Sequence, residues 1–258
     1  MSGMLEAISD LSGVAREMLW VGFAVFLRVG AAMALLPAFG EMFVPARVRL
    51  VLALAFTAVV APAVSPRIPD EGAGLFPLLL TETLAGLALG AALRLFVHAL
   101  QIAGAIAAQA TSLAQLFAGA GAEPQPAVGY LLTMGGLALA VATGLHVRIA
   151  EYLILSYNVL PAGRFPVAAD MADWGLAQVA QAFSLGFALA APFVIASFLY
   201  NLALGVINRA MPQLMVAFVG APALAAGGLL LLVFAAPLVL AVWLGTLNGF
   251  LAAPFAGR

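Results

Sequence analysis

Arg209 is the only charged residue between Asp173 and Arg258. It lies in the short string Asn208-Arg209-Ala210-Met211-Pro212-Gln213, and residues 176–207 and 214–251 on either side are almost wholly apolar. Each arm is longer than the roughly 20 apolar residues that a helix needs to cross a bilayer. Isolated strands cannot satisfy their backbone in lipid, so both arms are read as helices. Two apolar helices joined by one polar joint make a hairpin in a membrane, with Asn208, Arg209, Pro212 and Gln213 at its tip.

The rest of the chain has the same character. Hydrophobic residues make up 65% of 258 positions and charged ones 8%, against about 45–50% and 25% in soluble domains. That much apolar surface cannot be hidden in a water-soluble fold of this size, so the fold class is all-α and the protein an integral membrane protein. The formal net charge is −1 and there is no basic cluster, which removes the electrostatic footprint of a nucleic-acid binder. No cysteine is present, which excludes disulfides, thiolate chemistry and cysteine metal sites. Glu6, Asp10 and Glu17 stand where the basic region of a cleavable signal would be, so the first apolar stretch is expected to be retained.

About six apolar segments are expected, several of them kinked. An amphipathic start, residues 1–16, leads into the stretch 18–36, whose 19 residues would give a helix of about 28 Å. Pro37, Gly40 and Pro45 break the chain before a second segment at 48–64, opened by Arg47 and Arg49. A third region, from Leu75 to about Ala108, is too long for one simple span and carries Glu82, Arg94 and His98. A fourth runs from Val128 through Leu145 toward Leu160, and the hairpin follows a polar stretch at 161–174. Pro192, Pro222 and Pro237 interrupt the hairpin arms and favour kinks.

Little in the chain suits catalysis. His98 and His146 are the only histidines, and neither has metal-ligand spacing to another ligand. No catalytic residue, cofactor or metal is therefore expected. Arg28, Arg47, Arg49 and Glu82 are candidate intersubunit or buried charges, because an unpaired charge inside an apolar helix is costly. A proton path would line up several carboxylates, and only Glu82 is well placed, so pairing is the favoured reading. Arg148 and Glu151, at i and i+3, share a face and invite a pair. Gly86 and Gly90 form a Gly-x-x-x-Gly pattern that lets another helix approach closely.

Residues 111–126 combine an apolar cluster, Leu113, Leu116 and Phe117, with a nearly uncharged stretch containing Gly119 and Gly121. Such a loop either lies outside the membrane or, buried in protein, seals a pore by dewetting; composition alone favours the former.

Taken together, these strings resemble one family. Asn208 to Leu214 followed by Val219-Gly220-Ala221-Pro222 is similar to the C-terminal signature of the FliR family of flagellar export-gate proteins. Pro37-Ala38-Phe39-Gly40 with Val44-Pro45-Ala46-Arg47-Val48-Arg49 resembles its N-terminal signature, and Glu82 with Gly86, Gly90, Gly104 and Gln109 its middle helix. The resemblance runs from about residue 18 to 250 in family order. One departure is Met215, where the family commonly has a small polar residue.

The resemblance implies a non-enzymatic inner-membrane subunit of the flagellar type III export gate. FliP and FliQ would be its partners in the channel, FlhB its neighbour, and unfolded flagellar proteins its cargo. It also implies that residues about 1–175 are FliP-like and about 176–258 a FliQ-like hairpin, and that the loop at 111–126 is the pore plug, with Leu113, Leu116, Phe117, Gly119 and Gly121 its candidate residues. The equivalent subunit of a virulence-type secretion system shares the fold, and a proton-coupled transporter is the rival of another class.

Overall fold

The computed structural model describes residues 2–70, 74–112, 127–211 and 216–255, and the described residues are helical with short turns. Seven α-helices follow one another: α1 (Ser2–Met33), α2 (Ala46–Val64), α3 (Leu75–Ser112), α4 (Ala127–Ala142), α5 (Leu145–Val159), α6 (Ala168–Ala210) and α7 (Val216–Ala252). A 3-10 turn, Ser65–Arg67, follows α2. Two expected segments are thereby redrawn. The amphipathic start and the first apolar stretch are one helix, α1, and the segment expected from 128 toward 160 is two helices, which brings about six to seven. The break comes at Gly144, whose φ of +90° lies in the left-handed region that a helix cannot accommodate.

Four of the described helical segments are long and apolar enough to cross a membrane: 46–67, 75–110, 168–210 and 226–252, with a fifth if α4 and α5 count as one broken span. Their outward faces are greasy. In α7 Phe234 is 78% exposed, and Leu229, Leu230 and Val233 beside it are also open. Surfaces of this kind are stable against lipid or against other apolar helices and unstable in water. The chain is an all-α integral membrane protein. The hairpin arms appear as α6 and α7, with Pro192 inside α6.

The chain forms two compact units. The first takes residues 1–94, 144–177 and 253–258. In it α1 packs against α2, and α2 against α5. The first half of α3 lies so close to α1 that only glycine fits at two positions. A methyl group at Gly86 would overlap the Arg28 carbonyl and reach within 2.9 Å of Ala31 Cβ, and one at Gly90 would sit 2.7 Å from the Ala32 carbonyl oxygen. The Gly-x-x-x-Gly spacing thus places α1 backbone directly on α3 backbone. Phe255 closes this unit by stacking on Tyr152, ring centroids 5.8 Å apart.

The second unit takes 95–143 and 178–252. Its centre is the second half of α3, flanked by α4, α6 and α7. At the α3–α4 crossing Gly104 meets Gly129, where any Cβ on Gly104 would overlap backbone. Ala107, Phe193 and Ala235 form a buried cluster from α3, α6 and α7, extended by Val128, Leu231 and Leu232. Trp243, fully buried, donates its indole N–H to the Phe96 carbonyl at 2.8 Å. Ser197 donates its hydroxyl to the Ala110 carbonyl at 2.6 Å, which ties α6 to the end of α3.

The glycine contact gives a direct test. Gly86→Val is expected to destabilise the protein in detergent by about 3 kcal/mol or more, because backbone must move to admit the side chain. Gly22→Ala, in the same pair of helices but facing open space, is expected to be neutral or slightly stabilising. Thermal unfolding of the two variants measures the difference.

Candidate functional site

Arg28 on α1 and Glu82 on α3 are 1% and 0% exposed, and they meet inside the first unit. The glycine contact just described sets the spacing, since Gly86 lies one turn beyond Glu82 and touches the backbone of Arg28. The guanidinium forks onto the carboxylate: Nε donates to Oε2 at 2.9 Å and Nη2 to Oε1 at 3.0 Å. Two planar groups matched in this way form the strongest side-chain ion-pair geometry.

The remaining polar capacity is used by α5 and the turn after it. Arg28 Nη1 donates to Ser156 Oγ at 3.0 Å, and Nη2 also donates to the Leu160 carbonyl at 2.8 Å. The Gly163 N–H donates to Glu82 Oε1 at 3.4 Å. The Tyr157 ring lies beneath the guanidinium, its centroid 3.6 Å from Cζ, a cation–π contact. Ser156 in turn donates to the Leu153 carbonyl at 2.6 Å. One ion pair therefore holds α1, α3 and α5 together.

Chemically the cluster is closed. Glu82 Oε1 accepts from two N–H groups and Oε2 from one, and the whole pair is shielded from solvent. A buried charge in membrane protein requires such a partner. The arrangement suits a strut far better than a proton carrier, which needs an open path and a carboxylate free to release its proton.

A second ion pair anchors the turn between α1 and α2. Glu41 Oε1 accepts from Arg94 Nη1 at 2.5 Å, with the two side chains 9% and 24% exposed. Arg49 is placed at the same turn, where its Nη2 donates to the Glu41 carbonyl at 3.1 Å and the Val44 carbonyl at 3.4 Å. Arg47, two residues earlier in α2, is exposed. The four candidate charges thus fall in two places: Arg28 with Glu82 in the core, Arg47 and Arg49 at the start of α2.

At the end of α6, Asn208 and Arg209 are exposed. Pro212 and Gln213, like Leu113, Leu116, Phe117, Gly119 and Gly121, fall outside the described residues. Arg148 and Glu151 are both exposed on α5. His98 Nδ1 lies 2.8 Å from Gln101 Oε1 on an exposed face. Sequence reasoning missed Glu41, Ser156, Tyr157 and Gly163. Glu41 carried a signal, since an acid in a turn beside apolar helices requires a cation, and Arg94 was available. The neutral groups carried none.

Known proteins match the chain over nearly all of its length. The family described as "Bacterial export proteins, family 1" matches residues 19–250. "Flagellar biosynthetic protein FliR" of Caulobacter vibrioides is 37% identical over 229 residues, covering 87% of this chain and 91% of that protein. Proteins of the same name from Aquifex aeolicus and Escherichia coli K12 are each 29% identical, covering 83% and 84% of this chain and 84% of each relative.

Breaking the core pair has a clear expected outcome. Arg28→Met or Glu82→Leu alone leaves one charge buried without its partner, and each is expected to cost about 3–5 kcal/mol. The double variant Arg28→Met/Glu82→Leu removes both charges and is expected to recover most of that loss. A double-variant cycle in detergent, read by thermal unfolding, measures the coupling.

Proposed function

We infer the function from one premise: the chain belongs to the FliR family, the bacterial export proteins of family 1. It is a membrane component of the flagellar export apparatus and serves protein transport in flagellum biogenesis. Within that apparatus we propose that it is a structural and gating subunit rather than an enzyme. With FliP and FliQ equivalents it forms the inner-membrane channel for unfolded flagellar subunits, and an FlhB equivalent lies beside it. The observation that carries this reading is the match across residues 19–250. The flagellar name shared by the relatives favours this branch over the virulence-type counterpart.

Two structural features support a subunit over a self-contained transporter. The apolar faces of α6 and α7 are broad, with Phe183, Phe187, Phe198 and Phe234 all more than half exposed, and partner helices fit such faces as readily as lipid does. The membrane-embedded carboxylate is locked in a complete set of hydrogen bonds. In this reading 1–175 is the FliP-like part and 176–258 the FliQ-like hairpin, whose tip at Asn208, Arg209, Pro212 and Gln213 faces the cytoplasmic entrance. Leu113, Leu116, Phe117, Gly119 and Gly121 supply the plug.

Affinity purification in mild detergent tests the assembly. FliP and FliQ equivalents are expected to come along with the chain; a lone monomer with transport activity overturns the reading. Glu82→Gln is expected to lose those partners and motility together, whereas loss of transport with assembly intact favours a proton-coupled carrier. Shortening 113–121 is expected to let ions or small molecules leak through the assembled gate. Unchanged permeability with normal assembly removes the plug from the proposal.

A further inference from the structure

The first unit contains a groove of about 420 Å³ between α1, the start of α2 and the first half of α3. Its walls are apolar, with Phe26, Leu27, Met33, Leu50 and Ala53 among them, and Arg49 is the one charged residue in the lining. None of the contacts that hold the core ion pair uses this space.

Arg49 is poorly matched where it stands. It donates to the backbone carbonyls of Glu41 and Val44, both through Nη2. Nε is buried and has no hydrogen-bond partner. The nearby carboxylate of Glu41 is taken by Arg94. A guanidinium held by neutral acceptors, with one shielded donor unused, is short of an anion.

The surrounding backbone adds to that deficit. Arg49 lies in the first turn of α2, which begins after Pro45 with no side-chain cap and no acidic residue in its first turn. The free amides and dipole at such an end favour negative charge. Around this cationic point the surface is apolar: Met42 is fully exposed and Phe43, Val48, Leu50, Val51 and Leu54 are largely open. Aromatic and apolar groups flanking arginines at the end of a spanning helix are the pattern of a membrane interface.

We propose that this groove holds an anionic phospholipid, with the phosphate at Arg49 and one acyl chain along Phe26, Leu27 and Leu50. The apolar wall accepts the chain, and the unmatched cation selects an acidic headgroup over a zwitterionic one. The groove lies wholly within the first unit, so the inference does not depend on the channel reading.

The test uses the full chain, with whatever membrane partners copurify, in mild detergent. Equal amounts of phosphatidylglycerol and phosphatidylcholine are added as mixed micelles, and native mass spectrometry counts the lipids retained. The wild type is expected to keep phosphatidylglycerol over phosphatidylcholine by about tenfold, the effect of one charge-assisted contact. Arg49→Gln is expected to abolish that preference, and Arg49→Lys to keep part of it. Gly30→Leu is expected to lower retention of both lipids. Gly30 lines the groove, and a Cβ there would lie 3.7 Å from the Phe26 ring, an ordinary contact; thermal unfolding of the variant checks that the fold is kept. Arg67→Gln, in the 3-10 turn that follows α2 and exposed, is expected to behave as wild type. Equal retention of the two lipids by the wild type overturns the proposal, and so does undiminished preference in Arg49→Gln. A photo-crosslinker at Leu50 that captures a protein chain in place of lipid overturns it as well, assigning the groove to a neighbouring subunit.

Discussion

A guanidinium and a carboxylate cannot be left alone in hydrocarbon, and the first unit is arranged around that constraint. Arg28 and Glu82 are 54 residues apart in sequence and fully buried. Each would be strongly destabilising without the other. Satisfying both also fixes the register of α1 on α3, and the spare donors of Arg28 draw in Ser156 and the Leu160 carbonyl at the end of α5. The apolar contacts give the helices reason to associate but little reason to prefer one sliding position over another. The ion pair supplies that preference, as a polar group buried among apolar side chains does when it sets register in helical assemblies.

The glycines and the ion pair act on the same crossing from opposite directions. Gly86 and Gly90 remove side-chain bulk, so the backbones of α1 and α3 touch. The side chains at 28 and 82 then reach each other without extending toward solvent. A wider crossing would leave the fork unable to close, and a close crossing without charges would lack a fixed register. Conventional helix packing and electrostatics are thus joined at one place, within about two helical turns of α3.

The large-scale plan was legible because it follows from composition. Two long apolar arms around Arg209 could be little else than α6 and α7, and Gly86 and Gly90 announced a close crossing. The need for partners at Arg28 and Glu82 was legible too, yet the choice of partner was not. Several charges lay near apolar helices, and nothing in their spacing assigned Arg94 to the distant Glu41. Only the crossing geometry decides. The split at Gly144 was invisible for another reason: Gly135 and Gly136 lie nearby within a continuous helix, so glycine alone does not mark the break. Ser156, Tyr157 and Gly163 are ordinary residues whose importance exists only once a buried guanidinium has been brought beside them.

The contact between Phe255 and Tyr152 has a consequence for biosynthesis. The first unit begins with the earliest helix of the chain, yet Phe255 follows every residue of the second unit in order of synthesis. A ribosome therefore delivers α1, α2 and half of α3 long before the ring that stacks on α5 exists. During that interval the unit is open on the side of Tyr152, while the residues of the second unit are still entering the membrane. Completion of the part made first waits for the part made last, and a nascent chain interrupted anywhere before residue 255 carries a first unit that has not been closed.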